Sequence, residues 1–75
     1  MMNTQERIQQ RHKILDYIVI EKPEGASKDE IMSLGDVEKS LGDLVYMGLV
    51  RKNGGKFVVP EAVAKRWVRI RGREN

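Results

Sequence analysis

Apolar residues first recur at Ile8, Leu15, Ile18 and Val19, the spacing of one helical face, and Ile14 and Tyr17 widen that face. This predicts a first helix over residues 4–20, opened by Thr4 as N-cap and by Glu6 in the first turn. Pro23 and Gly25 break the pattern, so residues 22–26 read as a loop. Ser27 and Glu30 then stand three apart ahead of Ile31 and Leu34, the signature of a capping box at the start of a second helix. Gly35 is expected to end that helix after barely two turns, too short to stand without packing. Asp36 is the N-cap candidate for a third helix, in which Val37, Leu41, Leu44 and Val45 follow the i, i+4, i+7, i+8 rule. Gly48 is its stop signal, with Leu49 placed to fold back on the helix end.

Beyond Gly48 the period changes. Residues 49–52 and 56–59 read as two strands, with one of Phe57 and Val58 facing inward. Asn53-Gly54 suits a type I′ turn, and Gly55 leaves slack for a bulge. Pro60 stops the second strand and opens a fourth helix, whose Val63, Trp67 and Ile70 share one face. The expected fold is therefore mainly α with a small β-hairpin, in the order α-α-α-β-β-α. It is one domain over residues 1–75, frayed at 1–3 and 71–75.

The stretch DLVYMGLVRKNGGKFVV is the most specific part of this pattern. It resembles the winged helix-turn-helix family, at the junction where the third helix turns through glycine into a hairpin wing. The likeness is clearest over residues 27–59. It implies that the third helix enters the major groove of duplex DNA while the wing touches phosphates beside it. The groove-facing positions would be those opposite the buried stripe: Glu38, Lys39, Ser40, Gly42, Asp43 and Tyr46.

Charge complicates that expectation. Residues 1–59 carry nine basic and nine acidic side chains, so the net +3 lies wholly in residues 60–75. Residues 27–48 hold Lys28 and Lys39 against Asp29, Glu30, Asp36, Glu38 and Asp43, a net of −3. The cations lie elsewhere: Arg51, Lys52 and Lys56 on the wing, and Lys65, Arg66, Arg69, Arg71 and Arg73 on the last helix and its tail. Strand alternation lets at most two of the three wing cations share a side. If wing and tail face one way, roughly four to six phosphates are contacted, with a log-log salt slope of roughly −4 to −5.

The first expectation is thus a duplex DNA-binding protein, a small transcriptional regulator. Its contacts would be Lys39, Ser40, Arg51, Lys52, Lys56, Arg66, Arg69, Arg71 and Arg73. The alternative is a protein-interaction module that uses the acidic face of helices two and three through Glu38, Asp43 and Tyr46. RNA binding by the arginine-rich end is a weaker option. Trp67 is expected to close the core against the first helix; the alternative is that Val63, Trp67 and Ile70 form the seam of a homodimer.

With no cysteine and a lone histidine, His12, the chain offers no thiolate site and no evident metal cluster. No nucleophile stands with a base, and no glycine run matches a phosphate cradle. The expectation is a non-enzyme without cofactor. No apolar run approaches a membrane span, and the polar start of the chain is unlike a signal peptide. That reads as a complete cytoplasmic protein.

Overall fold

The computed structural model describes residues 4–73, with the side chain of Arg73 outside the described set. Helix α1 (Thr4–Asp16) continues as a π-helical turn, Tyr17–Glu21, where a single α-helix to residue 20 was expected. The wider turn closes where the Lys22 N–H reaches back five residues to the Tyr17 carbonyl (3.1 Å) as well as to that of Ile18 (3.2 Å). Ile14, Leu15 and Ile18 are buried, whereas Ile8 lies at the edge of the core.

The expected loop contains a strand, β1 (Ala26–Ser27), which pairs antiparallel with a partner thirty residues away. Entry to it depends on Gly25, at φ +117°. A Cβ there would lie 2.9 Å from Val58 Cγ1 and 3.2 Å from Lys56 Cβ, so only glycine lets the chain lie this close to its partner.

Helix α2 (Lys28–Met32) opens with the expected capping box. Ser27 Oγ accepts from the Glu30 N–H (3.1 Å), and the Ser27 N–H donates to Glu30 Oε1 (2.9 Å). The other carboxylate oxygen of Glu30 lies 2.7 Å from Lys22 Nζ. The bond from Lys22, followed by that from the Ser27 N–H, pulls the Glu30 carboxyl from its usual 4.5 down to about 2. Because the folded value is depressed, this contribution to stability is complete above about pH 4.5 and is lost as pH falls through about 2. Glu30→Gln keeps the cap but not the charge. Urea denaturation should show it less stable than the parent at pH 6, with the difference shrinking between pH 4.5 and 2; a gap independent of pH would contradict this assignment.

The second helix ends at Met32, not at Gly35; Ser33–Gly35 form a tight turn in which the Leu34 N–H bonds the Ile31 carbonyl (3.0 Å). Helix α3 (Glu38–Tyr46) is not capped by Asp36: Val37 occupies the N-cap position with no side-chain cap bond, and its side chain is buried. Packing outweighs capping here. The buried stripe is Val37, Ser40, Leu41 and Leu44, so Val45, expected inside, is turned out at 40% exposure. The chain leaves α3 through Gly48 in the left-handed region, and the Leu49 N–H folds back to the Leu44 carbonyl (3.0 Å).

Strands β2 (Arg51–Asn53) and β3 (Lys56–Val58) are shorter than expected, and the hairpin tip is shifted by one residue. Asn53 pairs with Lys56, so the two central turn residues are Gly54 and Gly55, at φ +57° and +83°. Two successive positive angles match a type I′ turn, leaving no bulge. The sheet order is β1-β3-β2, antiparallel throughout. Helix α4 (Glu61–Arg73) follows Pro60 and runs through residues expected to fray. The described chain is thus mainly helical with a small three-stranded antiparallel sheet, and its core joins α1, α2, α3 and the sheet through Ile14, Ile31, Leu44, Val50 and Phe57. No helix among the described residues is long and apolar enough to cross a membrane.

Candidate nucleic-acid interface

The outward ridge of α3 runs through Lys39, Gly42 and Tyr46, spaced i, i+3, i+7 opposite the buried stripe. Tyr46 is 94% exposed, and nothing lies within 4 Å of a Cβ built on Gly42. Ser40, expected on this ridge, is fully buried, and its hydroxyl donates to Gln10 Oε1 of α1 (2.9 Å). A buried hydroxyl needs such a partner, and Gln10 supplies it. Ser40 is therefore a packing residue between α1 and α3 and is removed from the contact set.

Asp43 and Glu38 flank the ridge and are drawn onto neighbouring cations. Arg7 of α1 grips Asp43 with two bonds, Nε to Oδ2 at 2.7 Å and Nη2 to Oδ1 at 3.0 Å. That hydrogen bonding holds the Asp43 carboxyl below the ordinary carboxylate range and raises Arg7. Lys28 reaches Glu38 at 3.3 Å, a pair open to solvent. Lys13 Nζ donates to the Leu34 carbonyl at the corner between α2 and α3 (3.1 Å). Residues 27–48 sum to −3, but Arg7 and Lys22, each paired to a carboxylate of that segment, bring the local sum to −1. Adding Lys13, and Arg11, whose charge is felt at Asp43, brings it to +1. The strongly acidic face expected from the local sequence is therefore compensated by α1. No periodicity in α3 itself could have signalled this.

The wing cations separate as strand alternation requires. Lys52 pairs with Phe57 across the hairpin, so its side chain follows the inner face, with Nζ 6.0 Å from the ring centroid of Phe57. Arg51 pairs with Val58, and Lys56 with Asn53 and Ser27, which puts Arg51 and Lys56 together on the opposite face. Both are exposed, and neither has an ion-pair partner among the described residues.

The α4 cations do not act as one group. Arg71 Nη2 lies 3.1 Å from Asp16 Oδ2 and its guanidinium stands over Trp67, so it is held against α1. Lys65 pairs with Glu61 one turn earlier. Arg66 lines a groove with Trp67, while Arg69 is exposed. The Arg73 side chain lies outside the described residues.

No protein-family profile, curated protein or solved structure matches this chain. Its site is therefore read from its own geometry.

That geometry includes the groove, of about 370 Å³, between α1, the C-terminal end of α3, and α4. Val63, Trp67 and Ile70 form its α4 wall; Ile8 and Leu15 face them from α1. Trp67 is fixed from behind: its Nε1–H donates to Asp16 Oδ1 (2.7 Å), and the His12 ring meets it edge-on at 4.9 Å. It packs at the margin of the core, on the first helix, as its spacing implied.

Proposed function

We propose that this protein is a winged helix-turn-helix that binds duplex DNA, with the α3 ridge in the major groove and the outer face of the β2–β3 hairpin on the flanking phosphates. The observation that supports it best is the disposition of charge. Lys39, Gly42 and Tyr46 form an open ridge, the carboxylates beside it are engaged by Arg7 and Lys28, and Arg51 with Lys56 present a paired cationic face one element later. Gly42 leaves room for a groove wall to approach the backbone. Arg69, exposed on α4, is placed to add a contact. Arg71 is committed to Asp16, and Lys52 lies along Phe57, so neither belongs to the primary set.

Small transcriptional regulators use such a unit, and that is the role we assign. A docking role for the α2–α3 face through Glu38 and Asp43 is weakened by the same pairing, since both carboxylates are already met within the chain.

Fluorescence anisotropy of a labelled duplex, titrated at several salt concentrations, tests the proposal. Three phosphate contacts, from Lys39, Arg51 and Lys56, predict a log-log slope of about −3. Failure to bind any duplex at low salt would overturn the proposal. A slope near −5 or steeper would mean that the α4 cations join the contact.

A further inference from the structure

The groove between α1, α3 and α4 is lined mostly by apolar side chains, joined by Arg11, Arg66 and the imidazole of His12. Among the described residues no carboxylate lines it. Arg66 has no ion-pair partner among the described residues; the Arg11 guanidinium reaches the sulfur of Met47 at 4.0 Å, and its charge is felt at Asp43. Arg7, Lys22 and Arg71, by contrast, are matched within the fold by Asp43, Glu30 and Asp16. Two guanidiniums beside an apolar trough fit an occupant with an apolar body and a negative head.

We infer that this groove binds a small amphiphilic anion, an alkyl or aryl carboxylate. Its apolar part lies on Trp67, Ile70 and Ile8, and its carboxylate is met by Arg66 and Arg11. The volume of about 370 Å³ falls in the range of small-molecule sites, roughly 300–1,000 Å³. The wall is formed in advance, because Asp16 and Arg71 already hold the indole of Trp67, so little ordering opposes binding. A second copy of the chain is a poorer occupant. A two-fold contact centred on the groove would bring the Arg11 and Arg66 of both copies together, with no carboxylate among the described lining residues to separate them. The inference does not rest on DNA binding, since none of the groove residues belongs to the primary contact set.

Trp67 is the only tryptophan, so its emission reports directly on the groove. Octanoate is expected to change that emission saturably, octanol to bind about tenfold more weakly, and octylammonium not to bind. Arg66→Gln and Arg11→Gln, both at the rim, should each weaken octanoate toward the affinity of octanol while leaving octanol unchanged. Ile70→Glu, a half-exposed position, should abolish octanoate binding. Arg66→Gln should leave duplex affinity intact, so failure here is distinguishable from failure of the DNA reading. Three results would overturn the inference: equal binding of octanoate and octanol, no saturable change, or sedimentation showing a dimer whose formation alone alters Trp67 emission.

Discussion

Replacing Ile31 with Ala is expected to remove about 2–5 kcal/mol of stability, read as a lower urea midpoint. Helix α2 has five residues, and Ile31 is its one fully buried side chain. A helix of that length has no independent stability, so the capping box, Ile31 and the half-buried Met32 hold it against the core. For 75 residues, total stability is of order 4–11 kcal/mol at about 0.05–0.15 kcal/mol per residue. The substitution therefore removes a large share of it, and a change under about 1 kcal/mol would mean that α2 is held some other way. Leu34→Ala, at a half-buried turn residue, should cost clearly less.

Reversing charge on the outer hairpin face, by Arg51→Glu with Lys56→Glu, is expected to lower duplex affinity by about 100-fold or more at moderate salt. Two of the three primary phosphate contacts are lost, which flattens the log-log salt slope by roughly 2, and the new carboxylates add repulsion. Both side chains are exposed and neither makes an ion pair among the described residues, so the urea midpoint should move little. Lys52→Glu serves as the internal contrast. It lies on the other face of the same strand and should weaken binding far less. Equal losses from Lys52 and Arg51 would mean that the hairpin does not present one face to its ligand.

Much of the scaffold was legible because its signals are local. Ser27 and Glu30 announce a cap three residues apart, Gly48 marks a helix end, and Pro60 opens the last helix; each depends on backbone preferences over one turn. What was illegible depends on distant partners. Strand β1 has two residues and no period of its own, and it exists because Phe57 and Lys56 lie beside it. The buried stripe of α3 includes Ser40 in preference to Val45, because Gln10 satisfies the hydroxyl from another helix. The hairpin tip moved by one residue because Asn53 completes the pair with Lys56, which leaves both positive φ angles to glycine.

The candidate site divides the same way. Alternation alone limits the wing to two cations on one side, and the tertiary pairing shows that the two are Arg51 and Lys56. The electrostatics of α3 could not be read in advance, because Arg7 lies 36 residues from Asp43. Arg71 looked like part of a basic tail, yet Asp16 and Trp67 hold it against α1. Val63, Trp67 and Ile70 were recognisable as a stripe, but the groove they line needs Ile8 and the two rim arginines from elsewhere in the chain.

The most direct test is an amide NMR titration of the protein with duplex DNA at low salt. The account predicts shifts concentrated at Lys39, Gly42 and Tyr46 and along Arg51 and Lys56, with the Trp67 indole unmoved. Shifts confined to α4, or none at all on α3 and the hairpin, would contradict it.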